Sequence, residues 1–385
     1  MTFPIEQFRK KETPFYYYDV SLLKRTLQEI NDSIKGYPYK VHYAIKANAN
    51  PGILEVIRES GLGVDCVSGG ELKASLAAGF DPKKIVFAGV AKTDKEINAG
   101  LDAGILCFNV ESFNELEIIN ELAGRKGLVA RIAVRINPNI NAHTHHYITT
   151  GLNENKFGVS MELLDRFVKL ALELPNVNLN GIHFHIGSQI QDLTSFENLC
   201  IKANELAERV ESLGADLKTI NVGGGLGIDY KDPDSNLIPP FKEYFDIFKR
   251  NIKLKDGQEL HFELGRSVVA QCGSLITEVI YVKEGVNRKF VIVDAGMSDL
   301  IRPALYQAHH SIENITSCSK ETEKYDVVGP ICESSDCFGK DELLPVTHRG
   351  DLIALRSAGA YGEIMASRYN CRELPGSYFF EEKIR

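Results

Sequence analysis

Lys46 stands at the end of a short apolar run, residues 41–47 (VHYAIKA), where a side-chain amine can act as a nucleophile if other reactive groups meet it there. Other chemically unusual residues fall in matching places, each closing a strand-like run. They are Asp65 and Ser68, Arg135, His185 with Gly187 and Ser188, the triplet Gly223, Gly224 and Gly225, and Glu263 with Arg266. Singly, each has an ordinary explanation: a cation escaping to solvent, a tight turn, a satisfied core histidine, or an ion pair between Glu263 and Arg266. Together they describe a site. A glycine run after a strand exposes bare backbone N–H groups to which an anion can come close, and Ser188 adds a hydroxyl donor. An amine, an anion cradle and a carboxylate suit a phosphorylated carbonyl compound with a basic ring atom.

The elements that would bring these residues together repeat. Strand-like runs at 41–47, 63–68, 85–90, 105–110, 128–137, 180–187, 219–225 and 260–266 alternate with amphipathic helical stretches. Continuous apolar strands separated by helices predict a parallel sheet covered on both faces, and eight such units predict a (β/α)8 barrel. In that fold the site is built at the C-terminal ends of the strands, where the residues above lie. A helix over 21–34 comes before the first strand. The expected barrel spans 20–266, with 230–240 (YKDPDSNLIPP) as a loop. After 266 the pattern changes to short runs with turn signals, which predicts a mostly antiparallel β-domain over 267–385. The aromatic segment 13–19 (TPFYYYD) is expected to join it, so that residues 1–19 belong with the second domain.

Composition narrows the class. The 385 residues are 44% hydrophobic with a net charge of −8, which favours a packed core and argues against nucleic acid as the default partner. No apolar stretch reaches the ~20 residues of a membrane span, and the N-terminus lacks a secretory h-region, so the expectation is a cytoplasmic protein with no membrane partner. Eight cysteines without regular spacing fit reduced thiols.

Pyridoxal 5'-phosphate has the aldehyde, the phosphate and the basic ring nitrogen that this set of residues would bind. His185 can stack on the ring, and Glu263 can keep the ring nitrogen protonated. The runs YAIKAN, HFHIGSQ, GGGLG, ELGR and CESSD, in that order along nearly the whole chain, resemble the fold-type III pyridoxal-phosphate decarboxylases. The resemblance implies that Lys46 condenses with the cofactor aldehyde and that His185 lies on the ring. It implies that Gly223, Gly224, Gly225 and Ser188 bind phosphate and that Glu263 meets the ring nitrogen. Asp65, Arg135, Leu264, Gly265, Arg266 and Tyr361 are carried over as further cofactor contacts. The family's Glu-Pro-Gly-Arg reads Glu-Leu-Gly-Arg here, with Leu264 in the proline position.

The same resemblance makes Cys332 the acid that protonates the substrate carbon, and places Glu333, Arg266, Arg302, Tyr306 and Tyr361 around the substrate. A substrate with an amine and a carboxylate at its far end needs an acid and a cation, and Glu333 and Arg302 are of those kinds. The expected reaction is decarboxylation of meso-2,6-diaminopimelate to L-lysine, in a homodimer whose sites are shared between subunits. Competing expectations are a decarboxylase of another basic amino acid or of a carboxyspermidine, an alanine racemase, and a non-catalytic pyridoxal-phosphate carrier. Glu263 argues against the racemase, which typically sets an arginine at the ring nitrogen, and the β-domain argues against the carrier. The cluster HTHHYITTG at 143–151 raises the idea of a metal hydrolase, but no carboxylate ligands sit beside it, and no metal is expected there or at Cys332 and Cys337.

Overall fold

The computed structural model of the chain describes residues 3–138 and 156–381. The chain divides into two compact units, one of residues 27–227 and 240–266, the other of 1–26, 228–239 and 267–385. The division differs from the simple cut at 20 and 266, because it falls inside the first long helix and the 228–239 segment groups with the second unit.

The first unit is a closed barrel of eight parallel strands: Tyr39–Ala44, Gly63–Cys66, Ile85–Phe87, Cys107–Val110, Ala130–Arg135, Val177–His183, Thr219–Asn221 and Glu259–Leu264. The last strand pairs with the first, Tyr39 opposite Leu260 through Tyr43 opposite Leu264. Capping residues start the intervening helices. Ser68, Thr93 and Ser112 each accept the backbone N–H three residues on, and Thr93 with Glu96 forms a full capping box. Helix Phe113–Arg125 turns Leu116, Ile119, Leu122 and Ala123 inward, the three-and-four spacing of one buried face. Helix Phe241–Asn251 packs Tyr244, Phe245 and Phe248 edge-on around Phe262 of the last strand, with ring centroids 4.9–5.9 Å apart.

Several strands end sooner than their apolar runs do. Lys46 lies in the single turn Ile45–Ala47, while His185, Gly187, Ser188 and the three glycines follow their strands as loop. At the barrel mouth the ladder gives way to local partners, and there the Gly224 N–H turns to the ring of His185. Arg266 opens the short helix Arg266–Val269.

The second unit is an eight-stranded, mostly antiparallel sheet centred on Gly273–Glu284, which pairs with Phe15–Asp19, Lys289–Val293 and Leu352–Leu355. Strand Phe15–Asp19 also runs parallel to Gly376–Phe380, so an early and a late segment of the chain meet in this sheet. Phe8, Phe15, Tyr17, Ile276, Leu352 and Ala354 form its core cluster. The buried guanidinium of Arg356 binds Asp234 at 2.8 Å and Glu313, tying the 228–239 segment to the sheet.

Candidate active site

A cavity of about 370 Å³ opens at the C-terminal mouth of the barrel, lined by Lys46, Asp65, Arg135, Phe157, His183, His185 and Glu263. Asp65, Asn109, His183 and Glu263 come from the second, fourth, sixth and eighth strands. Alternate strands of this barrel supply the side chains of one interior layer, which is ordinarily apolar. Here all four are polar, and Glu263 is bonded to two of the others.

Glu263 is 6 % exposed and accepts three hydrogen bonds. Oε1 takes Nδ2 of Asn221 at 2.8 Å and Nδ2 of Asn109 at 3.1 Å, and Oε2 takes Nε2 of His183 at 2.9 Å. Burial by itself pushes this carboxyl up. The field and hydrogen bond of His183, with the fields of His185 and Lys46, more than reverse that and hold it well below the usual carboxylate range. Asp65 goes the opposite way. Burial, and then the charge on Glu263, raise it well above its ordinary value, with Lys46 opposing. Its Oδ1 is buried with no hydrogen-bond partner among the described residues. The acid with three donors is pushed down and the one with an orphan oxygen is pushed up, a divergence typical of functional pairs.

The glycine turn is tight. A Cβ on Gly224 would lie 1.9 Å from the Glu263 carbonyl oxygen, and one on Gly223 would lie 2.3 Å from that of Phe184. Gly223 and Gly225 also have φ of +68° and +113°. His185 accepts the Gly224 N–H at Nδ1, 3.4 Å away. That requires an unprotonated Nδ1, and burial followed by the charges of Lys46 and Arg135 lowers its pKa well below the histidine norm. Ser188 Oγ receives Nη2 of Arg266 at 3.1 Å, so those two expected residues meet directly. Gly265 leaves room for Ala44 and Ala47, and Leu264, 1 % exposed, continues the last strand opposite Tyr43. Ser68 does not face the site; its hydroxyl caps helix Gly69–Ala77.

Arg135 is placed by a residue that sequence reasoning missed. Glu111, one residue past the fourth strand, accepts Nη1 of Arg135 at 2.8 Å and the N–H groups of Gly89 and Gly158 at 3.0 and 3.1 Å. The Phe157 ring covers the Arg135 guanidinium at 4.7 Å. Behind Glu111, Lys92, whose side chain is buried, contacts Glu115 at 2.6 Å and the carbonyls of Gly89 and Asn109. Polar residues at the inward positions of FNVES were the available signal for this group. The stretch 143–151 lies outside the described residues, and among the described ones no three His, Cys, Asp or Glu side chains are placed to hold a metal.

In the second unit, the loop carrying Cys332 and Glu333 is anchored by Asp336, whose carboxylate accepts the N–H groups of Met297 and Ile331 at 2.6 and 2.7 Å. Cys332 is exposed. Glu333 accepts the hydroxyl of Tyr369 and that of Ser335 at 3.2 Å. Arg302 opens helix Arg302–Tyr306 and is 5 % exposed. Nη1 of Arg302 donates to Nε2 of His310 at 2.8 Å, and its guanidinium lies 4.5 Å from the Tyr230 ring centre. His310 Nδ1 in turn donates to the Arg356 carbonyl at 2.8 Å, which fixes the tautomer. Tyr306 and Tyr361 are partly exposed, and Tyr361 has φ of +58°.

A barrel with a lysine at its mouth, an ionised acid on its floor and a glycine cradle defines a class. The family model for the pyridoxal-dependent decarboxylase, pyridoxal binding domain, matches residues 20–270, and the chain belongs to that family. It is 61% identical over 383 residues to the diaminopimelate decarboxylase of Bacteroides thetaiotaomicron, covering 99% of each chain. Among solved structures it matches the diaminopimelate decarboxylase of Helicobacter pylori complexed with L-lysine, with a TM-score of 0.93, 43% identity and coverage of 99% of this chain and 95% of that one. The diaminopimelate decarboxylase of M. jannaschii in co-complex with L-lysine matches with a TM-score of 0.91 and 39% identity, covering 98% and 89%.

Proposed function

We propose that this chain is a pyridoxal-phosphate-dependent carboxy-lyase that converts meso-2,6-diaminopimelate to L-lysine and carbon dioxide. The observation that carries the reading is the pairing, in one cavity, of Lys46 with a carboxylate held ionised at Glu263. The residues fit the cofactor. The Gly223, Gly224 and Gly225 backbone leaves no room for side chains, as close approach to a phosphate requires, and two atoms of lining residues, Asp65 Oδ1 and His183 Nδ1, are buried without partners among the described residues.

In this reading Lys46 supplies the amine that holds the cofactor aldehyde. The glycine N–H groups and Ser188, aligned by Arg266, bind the phosphate. The neutral ring of His185 packs on the cofactor face, and Glu263 keeps a proton on the ring nitrogen. Asp65, Arg135, Gly265 and Tyr361 complete the contacts. Bound there, the cofactor supplies an electron sink for the bond to the departing carboxylate. Cys332 Sγ delivers the proton that replaces that carboxylate on the substrate carbon. Arg302 and Tyr306 receive the distal carboxylate, and Glu333 the distal amine. Arg302 is suited to that task because a guanidinium already fixed by His310 and Tyr230 loses little freedom on pairing. Cytoplasmic action agrees with eight unpaired cysteine thiols.

The test begins with the visible spectrum. The purified protein is expected to be yellow, and borohydride to fix the cofactor on Lys46. A colourless protein that stays inactive with added pyridoxal phosphate, or a label on another lysine, refutes the assignment. Release of lysine from meso-diaminopimelate, against ornithine, arginine and carboxyspermidine as competitors, then separates this reading from its alternatives. We propose further that two chains form a two-fold dimer with each site shared. Mixing inactive Lys46→Ala and Cys332→Ala proteins should then restore about a quarter of wild-type activity, because random pairing makes half the dimers mixed, each with one intact site. No recovery after verified subunit exchange overturns sharing.

A further inference from the structure

Asn109 and Asn221 do not line the cavity at the barrel mouth, yet both donate to the carboxylate within it. They face a second cavity of about 280 Å³ at the N-terminal ends of the strands, with Cys107, Arg131 and His261. They therefore close the floor of the site from beneath. A carboxylate offers about four lone-pair positions. The two amides occupy Oε1 of Glu263 and His183 takes one place on Oε2, so the described residues leave a single acceptor position, on Oε2.

The two asparagines differ in what else they hold. Oδ1 of Asn221 accepts the Gly223 N–H at 2.9 Å, which fixes the amide so that Nδ2 must face Glu263. The main chain repeats the link, as the Glu263 N–H donates to the Gly223 carbonyl at 2.8 Å. Asn221 thus touches the glycine cradle with one end of its amide and the acid with the other. Asn109 has no such second bond to the cradle among those described; its carbonyl is held by Lys92 at 2.8 Å.

We propose that Asn221 is a positioning residue that locks the glycine cradle and Glu263 into one unit, while Asn109 positions Glu263 alone. The inference rests on reading the cavity as the pyridoxal-phosphate site. It assigns the spacing between the phosphate grip and the ring-nitrogen grip to one side chain on the seventh strand.

The experiment measures equilibrium binding of two ligands to the full-length protein by dialysis: pyridoxal phosphate, and its analogue with C–H in place of the ring nitrogen. The analogue offers nothing to the open acceptor of Glu263 but keeps the phosphate, the aldehyde and the ring face, so it reports the cradle without the ring-nitrogen grip. Asn109→Leu should weaken pyridoxal phosphate roughly tenfold or more, the scale of a lost bond to a charged group, and leave analogue binding unchanged. Asn221→Leu should weaken both. Asn221→Asp keeps the acceptor for Gly223 and loses the donor to Glu263, so it should weaken pyridoxal phosphate more than the analogue, and it decides the matter if the leucine variant does not fold. Analogue binding that is unaffected by Asn221→Leu overturns the coupling, as does an equal loss of both ligands in Asn221→Asp. Pyridoxal phosphate binding unchanged in Asn109→Leu overturns the role of Asn109. Wild-type protein that takes up neither ligand overturns the cofactor reading itself, and this inference with it.

Discussion

Acidification should destabilise the barrel through one buried ring. His42, on the first strand and 2 % exposed, has Nδ1 3.1 Å from the Lys84 carbonyl and Nε2 2.9 Å from Nδ1 of His261. A carbonyl only accepts, so the His42 proton sits on Nδ1 and Nε2 receives the His261 N–H. A second proton on His42 would set N–H against N–H. Burial, and then the field of His261, lower its pKa from 6.5 to about 3. Since the folded value is the lower one, the unfolded chain binds the extra proton. The stability is therefore present above about pH 6.5 and is lost as pH falls towards 3. A pH of about 5 lies ~1.5 units below the unfolded pKa, and at ~1.36 kcal/mol per unit the loss is about 2 kcal/mol. Urea unfolding followed by circular dichroism, for wild type and His42→Leu at about pH 7.5 and 5, isolates this share, since His185 titrates in the same sense in both proteins. The variant should be weaker at neutral pH but lose about 2 kcal/mol less on acidification. Equal losses in the two proteins would show that His42 does not carry the effect.

Three further outcomes follow from the contacts. Glu111→Ala leaves Arg135 buried without its partner and should cost about 3–5 kcal/mol of stability, read in urea melts; a loss below about 1 kcal/mol would mean that the pair is solvated. Gly224→Ala puts a Cβ 1.9 Å from a carbonyl oxygen, so the protein should purify without the yellow cofactor, and full cofactor content would show that the turn can relax. His310→Leu frees the Arg302 guanidinium and should raise KM for diaminopimelate roughly tenfold while cofactor content holds. A fall in kcat at unchanged KM would place Arg302 elsewhere in the reaction.

The parts of the site that show in the sequence are those where residue type contradicts its setting. Lys46, Glu263 and the three glycines each end an apolar run, and the barrel rule that sites lie at strand ends is enough to gather them. Asn109, His183 and Asn221 stay hidden because they lie at inward positions within strands, where only the register shows that they meet. Reading CFNV, GIHFH and TINV as strands with a polar inward residue near the end was possible. Joining Asn109 and His183 to Glu263 needed the layer formed by alternate strands, and joining Asn221 needed the register of the seventh strand against the eighth. Apolarity also misplaced the strand ends: Phe184 and Ile186 are buried, as strand residues would be, but lie past the end of the sixth strand. The order of the second sheet was less legible still, since Tyr16 pairs with Leu275 across a separation that no local pattern encodes.

The cost of the buried network bears on what the barrel is for. Lys92, Glu115, Glu111, Arg135 and Glu263 all have side chains under 10 % exposed. Ion pairs in that setting seldom add stability over apolar residues of similar volume, and they punish the loss of either partner. A barrel selected for stability alone would fill this layer with valine and leucine. The network is connected: Lys92 holds the Asn109 carbonyl, Asn109 and Asn221 hold Glu263, Asn221 holds Gly223, and through Glu115 and Glu111 the same lysine reaches Arg135. Each link fixes the orientation of the next, so the charges facing the cavity are set before any ligand arrives. Catalysis by electrostatic preorganisation needs that property, because dipoles already in place cost no reorganisation when charge moves. The stability given up in the barrel floor is returned as a carboxylate that stays ionised in a buried site.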